Sequence, residues 1–174
     1  WLHNQQGLVP VGFFRKRIGF SEVLKSGSDI TLVSMSYMTV EAMWAIKILE
    51  SNGISVEHID LKSANPIDWP CILSSVHKTG RLLTLDTGVA TGSIAGEIVA
   101  RAAMDCFKSL KQAPVRIALP DLPTPTSFGL TKHFYPRAEH IVAAVAEMMG
   151  TTIEHQIERK FPHDVPGDWF KGPF

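Results

Sequence analysis

Four polar residues at the carboxyl ends of predicted strands are the side chains best placed for chemistry: Ser36, Asp86, Thr87 and Asp121. Each falls at the expected carboxyl end of a strand, and in an open α/β sheet that edge is where ligands usually bind. The same residue types also cap helices and form turns. The sequence therefore leaves two interpretations of this candidate crevice, which are ligand binding and local structure.

Three glycines spaced four residues apart, Gly88, Gly92 and Gly96, lead into a predicted helix. Their spacing differs from the G-x-G-x-x-G dinucleotide fingerprint, and no Lys-Ser or Lys-Thr pair of a P-loop follows them. Small residues at this spacing let backbones approach closely, which favours tight packing of the helix on the sheet or on a partner helix. An anion bound at the helix N-terminus is the alternative.

Other arrangements that carry chemistry are missing from the sequence. The seven histidines do not occur at the spacings that zinc requires, and His133 and His140 flank a loop-to-helix junction. There is no G-x-S-x-G elbow, and no serine has an evident partnered base. Cys71 and Cys106 stand alone in apolar helical patterns, so a reducing compartment fits better than a disulfide framework. We therefore expect no catalytic and no metal-ligating residue.

The elements that would position these residues alternate between strand and helix. The predicted strands are Ile30–Met35, Ser55–Leu61, Arg81–Thr87 and Val115–Leu119, with Phe14–Phe20 as an additional edge strand. The predicted helices are Thr39–Ser51 with Thr39 as N-cap, a segment between Asp68 and Gly80, Ser93–Leu110 and Arg137–Met149. Strands separated by helices of this length predict a mostly parallel sheet covered on both faces, which is a three-layer α/β/α sandwich.

The composition suits one soluble domain. The chain has 174 residues with 17 basic and 17 acidic side chains, so nothing in its charge favours nucleic acid or an anionic membrane. No apolar run is long enough to span a bilayer, and no signal peptide is evident. We assign residues 1–13 to an arm, 14–150 to the domain, and 151–174 to an aromatic, proline-containing tail expected to act as a latch. The start at Trp1 predicts a fragment or a processed chain.

Two predicted helices have more apolar surface than one sheet face can cover. Thr39–Ser51, which contains Trp44, is apolar almost all round except at Glu41, Lys47 and Glu50. Arg137–Met149 has the same excess. An amphipathic helix on a sheet needs only one apolar stripe. Either a flanking helix or the terminal arms cover the second face, or that face is a subunit interface.

The stretches 27–68 and 81–136 resemble the carboxy-terminal domain of transketolase-like enzymes, and most closely the beta subunit of thiamine-diphosphate-dependent 2-oxo acid dehydrogenases. The resemblance covers roughly Val9 to Met149. It is carried by Gly92–Ile98, similar to a G-x-G-A-E-I motif with Glu97 as the acidic residue, and by the Asp-x-Pro-x-Pro turn at Asp121–Pro125. Lys78–Arg81 favours the dehydrogenase subunit within this group.

The resemblance implies a five-stranded, mostly parallel sheet with one antiparallel edge strand. It also implies a non-catalytic assembly domain, because the family's cofactor signature, Gly-Asp-Gly followed by paired asparagines, is absent. The sole Gly-Asp, at 167–168, is followed by Trp169. Thiamine diphosphate and magnesium would belong to the parent enzyme, which decarboxylates a 2-oxo acid oxidatively and passes the acyl group to lipoamide. This chain alone is expected to bind no cofactor and to be inactive.

The implied partners are a second copy of the chain, an alpha subunit in an alpha-two beta-two assembly, and the subunit-binding domain of a lipoyl acyltransferase. The implied location is the bacterial cytoplasm or the mitochondrial matrix. The candidate subunit-interface residues are Trp44, Gly92, Gly96, Glu97, Phe134, Tyr135, Trp169 and Phe170.

Two alternatives stay open. One is a free-standing module that binds a small anionic effector in the strand-end crevice. The other is the equivalent domain of a transketolase or a deoxyxylulose-phosphate synthase. The family usually has Gly near Ser36 and Glu near Asp86, so this chain departs from its pattern at two crevice positions. The sequence does not select among pyruvate, branched-chain oxo acids and acetoin.

Overall fold

A computed structural model describes residues 7–154 of the chain. Within that range the strands are β1 Glu22–Lys25, β2 Ile30–Ser34, β3 Val56–Asp60, β4 Leu82–Val89 and β5 Val115–Leu119. The α-helices are α1 Tyr37–Ser51, α2 Trp69–Thr79, α3 Ile94–Asp105, α4 Phe128–Phe134 and α5 Ala138–Met149, with a 3-10 turn at Phe107–Ser109. None of these helices is long and apolar enough to cross a membrane.

The strands form one sheet in the order β1-β3-β2-β4-β5. β1 pairs with β3 antiparallel, and the other three pairs are parallel. Helices α1 and α5 pack on one face of the sheet, whereas α2 and α3 pack on the other. The three-layer sandwich with a single antiparallel edge strand is therefore confirmed.

The face that carries α1 and α5 holds the larger apolar cluster. Leu49 of α1 and Ile141 of α5 are both fully buried, and the two helices pack against each other as well as against the strands. A helix that touches both a sheet and a second helix needs apolar residues on more than one stripe. The excess apolar surface predicted for both helices is thus largely covered within the chain, as the flanking-helix interpretation requires.

The opposite face is built around α2 and α3. The side chain of Asp68 accepts a hydrogen bond from the backbone N–H of Cys71 at 3.3 Å, and Pro70 lies in the first turn of α2, where its missing N–H costs nothing. Gly80 ends the helix in the left-handed conformation at φ 73°. The predicted bounds of α2 are confirmed.

Three predicted boundaries are wrong. The edge strand lies at Glu22–Lys25 and not at Phe14–Phe20, because three consecutive cations interrupt that segment and Gly19 turns the chain at φ 83°. Helix α3 ends at Asp105 and tightens into the 3-10 turn instead of reaching Leu110. Helix α1 begins at Tyr37, so Thr39 lies inside it and is not its N-cap. No helix was predicted at the position of α4.

Candidate functional site

The carboxyl ends of β2 and β4 border the only change of direction between neighbouring parallel strands in the described sheet. From β2 the chain passes through α1 to β3 on one face, and from β4 it passes through α3 to β5 on the other face. Such a switch point leaves a crevice outside the strand ends, which is where open α/β sheets bind ligands. Ser36 follows β2, and Asp86 and Thr87 lie in the second half of β4, so the structure brings these three residues to this edge.

Asp86 is committed to the backbone around it. Asp86 is only 4 % exposed. One carboxylate oxygen accepts a hydrogen bond from the N–H of Gly88 at 2.9 Å, and the other accepts one from the N–H of Ala95 at 2.9 Å. Ala95 lies in the first turn of α3, where N–H groups have no intrahelical partner and a negative charge is favourable. Asp86 therefore braces the end of β4 against the start of α3, which supports the structural interpretation over a ligand-binding one.

Asp121 braces the same loop from the outside. Its carboxylate accepts from the N–H of Thr91 at 2.9 Å and from the Thr91 hydroxyl at 2.7 Å. The bond from the Thr91 backbone, helped by the hydroxyl, lowers the pKa of Asp121. Arg116 Nη1 adds a bond to the carbonyl oxygen of Ala90 at 2.8 Å. Segment 88–95, from the end of β4 to the start of α3, is thus held by side chains from β4, β5 and the turn after β5.

Ser36 has an unusual backbone. Its φ is 54° and its ψ is −134°, and its side chain makes no capping hydrogen bond to α1. Positive φ at a residue other than glycine costs on the order of 1–3 kcal/mol. A glycine would adopt this conformation without that cost. Thr87 is half-buried beside Asp86.

Tyr37 and Glu41, which the prediction did not select, lie next to this crevice. The Tyr37 ring meets Tyr135 edge to face, with ring centroids 6.4 Å apart, and burial, followed by the nearby charge of Glu41, raises the pKa of Tyr37. Glu41 is 1 % exposed and accepts a hydrogen bond from the N–H of Ala138, the first residue of α5, at 2.8 Å. An acidic residue inside an almost wholly apolar helix was the available sequence signal.

The structure also contains a serine–histidine pair, where no partnered serine was predicted. Ser34 Oγ lies 2.8 Å from His58 Nε2 and 3.0 Å from Thr39 Oγ1, and the Thr39 hydroxyl donates to Asp60 at 3.2 Å. The pair spans two strands, so sequence spacing could not indicate it. Ser34 is fully buried and His58 is 1 % exposed, and burial lowers the pKa of His58 to about 4. A substrate has no access, so this network is structural.

A cysteine–histidine contact occurs on the other face. Cys106 Sγ lies 3.5 Å from His77 Nε2, and His77 Nδ1 lies 2.9 Å from the hydroxyl of Ser109. Cys106 is buried, and burial, with the charge of Asp105 as a smaller cause, raises the pKa of its thiol. A reactive cysteine needs the thiolate, which this environment disfavours.

No three His, Cys, Asp or Glu side chains among residues 7–154 are arranged to hold a metal ion. The sole Gly-Asp pair lies outside the described range.

Among the described interface candidates, the rings of Phe134 and Tyr135 meet edge to face, with centroids 5.1 Å apart. Trp44 packs half-buried against the α1/α5 cluster, Phe134 is only 6 % exposed, and Tyr135 is half-buried. Phe134 therefore offers little surface to a partner. Trp169 and Phe170 lie outside the described residues.

The glycine-spaced segment is explained by packing within the chain. Gly92 has φ 74°, in the left-handed region that favours glycine, and ends the loop before α3. A Cβ at Gly96 would lie 2.9 Å from Arg116 Nη1 of β5. Ser93 Oγ caps α3 by accepting from the N–H of Gly96 at 3.0 Å, and Glu97 is exposed in the first turn. Packing on the sheet is therefore favoured at Gly96 alone, since a Cβ at Gly92 would have no atom within 4 Å.

Comparison with known proteins gives consistent results. Residues 19–141 match the model of a family described as the C-terminal domain of transketolase. The chain is 36 % identical over 140 residues to the pyruvate dehydrogenase E1 component subunit beta of Acholeplasma laidlawii, a match that covers 80 % of this chain and 42 % of that protein. It is 32 % identical over 148 residues to the acetoin:2,6-dichlorophenolindophenol oxidoreductase subunit beta of Cupriavidus necator, covering 85 % of this chain and 44 % of that protein.

A solved structure titled split gene transketolase, inactive beta4 tetramer, is similar with a TM-score of 0.67 and 28 % sequence identity. That match covers 83 % of this chain and 47 % of the solved one. The chain thus spans less than half the length of each of these three proteins.

Proposed function

We propose, because the chain belongs to the transketolase C-terminal domain family, that it serves as the assembly domain of a 2-oxo acid dehydrogenase beta subunit. The parent enzyme would decarboxylate a 2-oxo acid oxidatively with thiamine diphosphate and pass the acyl group to lipoamide. The observation that carries this proposal is the match to two dehydrogenase-type beta subunits over at least 80 % of this chain but less than half of theirs.

The geometry of the crevice supports a domain without chemistry of its own. Both oxygens of Asp86 are used by backbone N–H groups, and the Ser34–His58 pair is closed to substrate. Thiamine diphosphate and its magnesium ion would be held by the parts of the parent enzyme that correspond to the remaining length of the relatives. The role of this domain would be to hold those parts in place.

The proposed partners are an alpha subunit, a second copy of this chain, and the subunit-binding domain of a lipoyl acyltransferase. Self-association is supported by the similar solved structure, whose title describes a tetramer of beta chains. Trp44, Gly92, Glu97 and Tyr135 remain candidate contact residues. Relatives occur in bacteria and in mitochondria, which supports the bacterial cytoplasm or the mitochondrial matrix as the location.

A second candidate is the corresponding domain of a transketolase encoded as two chains. The specific observation in its favour is the 28 % identity and TM-score of 0.67 with the split-gene transketolase. The two candidates differ in substrate, since a transketolase transfers a ketol group between sugar phosphates and a dehydrogenase oxidises a 2-oxo acid. The identity of 36 % to a pyruvate dehydrogenase beta subunit favours the dehydrogenase.

The test is to purify the chain with a terminal tag from its own cells and to assay the complex. We expect co-purifying subunits and thiamine-diphosphate-dependent decarboxylation of a 2-oxo acid, with dichlorophenolindophenol as the electron acceptor. The recombinant chain alone is the control and should have no such activity. Ketol transfer between sugar phosphates would favour the second candidate, and a tagged chain that purifies without partners and without either activity would contradict both.

A further inference from the structure

The two edges of the sheet differ in how open they are to another strand. β1 has four residues, its register with β3 is interrupted between Val23 and Lys25, and its charged residues are engaged in ion pairs. Glu22 pairs with Lys16 and Lys62, and Lys25 pairs with Glu50 at 2.6 Å. Short length, a bulge and charges are the features by which proteins prevent pairing at a sheet edge. The β1 edge is therefore protected.

The edge formed by β5 carries less charge than β1, although its register with β4 also shifts, between Ile117 and Leu119, and prolines flank it. Its five residues, Val115–Leu119, pair in continuous parallel register with β4 from Val115 to Ile117, and Arg116 is its only charged residue. No further strand lies beyond it within residues 7–154. The half-buried residues Val115 and Ile117 pack against the α1/α5 cluster, and among the described residues no strand pairs with the outer side of β5.

Hydrogen bonds show which backbone groups of β5 face outward. The carbonyl oxygen of Leu119 accepts from the N–H of Ala90 at 2.8 Å, and that of Val115 lies 3.4 Å from the hydroxyl of Thr84, so both point toward β4. Successive residues of a strand direct their N–H and C=O groups to alternate sides. The N–H and C=O groups of Arg116 and Ala118 therefore point to the free edge.

We propose that two copies of this chain pair along β5, antiparallel about a two-fold axis at Ile117, and so join their sheets into one. In this register Arg116 of each copy lies opposite Ala118 of the other, and each such pair exchanges two N–H to O bonds. Prolines at 114 and 120 flank the strand and supply no N–H. If the pairing shifts by two residues in either direction, Ala118 comes to lie opposite Pro114, or Arg116 opposite Pro120. Such a pair forms only one of its two hydrogen bonds, because proline has no N–H.

Charge and symmetry favour this register and this occupant. Shifting the axis to residue 116 would place Arg116 opposite its own symmetry mate, and like charges directly opposite are destabilising. With the axis at Ile117 the long Arg116 side chain faces the small Ala118 instead. An edge that complements itself in this way forms a closed isologous contact, which a second copy of the chain satisfies.

The position of α3 relative to the proposed contact follows from its symmetry. A two-fold axis perpendicular to the sheet keeps each face of the joined sheet continuous, so the two α3 helices, which pack against β4 and β5, come to lie on the same face. This inference rests on the proposed assembly function and names the surface that performs it.

Cross-linking tests the register in the full chain. Directly opposite residues of a non-hydrogen-bonded antiparallel pair have Cα atoms about 4.5 Å apart, within the range a disulfide bridges. Ile117→Cys should therefore give a covalent dimer on mild oxidation, well above the background from Cys71 and Cys106 in the unmodified chain. Val23→Cys on the protected β1 edge is the matched control. Cross-linking of Ile117→Cys no greater than that of Val23→Cys would overturn the proposal.

Donor removal tests the same contact without a cysteine. Ala118→Pro deletes an N–H that points away from β4, so the parallel pairing inside the sheet is kept, whereas Ala118→Val keeps the donor. By sedimentation velocity we expect the dimer dissociation constant to rise more than tenfold for Ala118→Pro and less than threefold for Ala118→Val. Equal dimerisation of both variants would overturn the proposal.

These results are separable from those of the proposed function. If the tagged complex retains its partners and activity while Ile117→Cys forms no cross-link in it, the assembly function stands and the β5 contact is wrong. If the cross-link forms but the purified complex has no thiamine-diphosphate-dependent activity, the β5 contact stands and the proposed dehydrogenase function is wrong.

Discussion

The two faces of the sheet are covered in different ways. On the α1/α5 face the helices pack on each other as well as on the strands, and polar groups such as His58 and Glu41 are almost completely buried. On the α2/α3 face the apolar cluster is smaller, and its charged pair, Glu57 with Lys78, has one buried and one half-exposed member. Solvent is therefore excluded from the polar groups of the α1/α5 face, which we call sealed, whereas it reaches the Glu57–Lys78 pair at the rim of the α2/α3 face, which we call open. Apolar excess in a helix therefore indicates contact with a neighbouring helix of the same layer here and does not by itself indicate a partner subunit.

The largest expected effect compares one side-chain deletion on both faces. Ile141→Ala on α5 and Ile72→Ala on α2 each truncate a fully buried isoleucine. Such deletions cost about 2–5 kcal/mol, and the cost is higher where the surroundings collapse less. We expect about 4 kcal/mol for Ile141→Ala and about 2.5 kcal/mol for Ile72→Ala, measured by urea unfolding. Equal losses would remove the distinction between a sealed and an open face.

Acid should lower the free energy of unfolding through protonation of His58, which is buried on the α1/α5 face. Burial holds the pKa of folded His58 at about 4, below the 6.5 of an unperturbed histidine, so the unfolded chain binds its proton first. The stability from neutral His58 is present above pH 6.5 and is lost as the pH falls toward 4. The loss should be about 1.4 kcal/mol per pH unit, or roughly 2–3 kcal/mol by pH 4.5.

The measurement is urea unfolding of wild type and His58→Gln between pH 7 and 4.5. Other groups near His58 include Asp60, whose pKa burial raises, and the Lys25–Glu50 ion pair, and both are present in the two proteins. The difference between the two proteins therefore isolates His58. A difference that does not change with pH would show that water reaches this network.

Glu41 tests the contact between α1 and α5. Glu41→Ala leaves the buried N–H of Ala138 without its carboxylate, and hydrogen bonds to charged groups contribute about 1.5–3 kcal/mol. We expect a loss of about 2 kcal/mol and faster hydrogen exchange in the first turn of α5. Glu41→Gln retains an acceptor oxygen and should recover about half of that loss. Unchanged exchange in α5 would mean that the carboxylate does not hold the two helices together.

The smallest effect is expected at the rim of the α2/α3 face. Burial raises the pKa of Glu57, but hydrogen bonds from Lys78, Ser75 and Gly27 outweigh it and lower the pKa overall. Its contribution is therefore present above pH 4.5 and is lost as the pH falls further. Because Lys78 is half-exposed, Lys78→Met should cost at most about 1 kcal/mol at pH 7 in a thermal melt. A larger loss of stability would show that the Glu57–Lys78 pair is shielded from solvent as well as the polar groups of the α1/α5 face are.

The strand–helix alternation was predictable from the sequence because buried strands and helix caps leave local patterns. Asp68 and Gly80 mark α2 by their types alone. The contacts that decide the character of the crevice were not predictable, since they join residues far apart in the chain. Asp86 was selected as a candidate, but only the structure places the N–H groups of Gly88 and Ala95 on its two oxygens.

The same limit applies to the buried network and to the edge strand. Ser34 and His58 lie on different strands, and their pairing depends on the parallel register of β2 with β3. The start of β1 depends on a turn at Gly19, which the apolar residues around Arg15–Arg17 obscure. Local sequence patterns therefore predicted the three layers of the fold. Which polar side chains have hydrogen-bond partners within the protein depends on tertiary contacts.

Because α1 and α5 bury part of each other's apolar surface, α1 is incompletely covered while the chain is being synthesised. Ile46 of α1 and Ile141 of α5 are separated by roughly 95 residues, and ribosomes add about 5–20 residues per second. After α1 emerges, its second apolar face stays uncovered for on the order of 5–20 s until α5 follows it out. During that interval the nascent chain offers an apolar helix to chaperones or to neighbouring nascent chains. A messenger truncated before α5 would make this exposure permanent, so we expect such a product to aggregate or to be degraded.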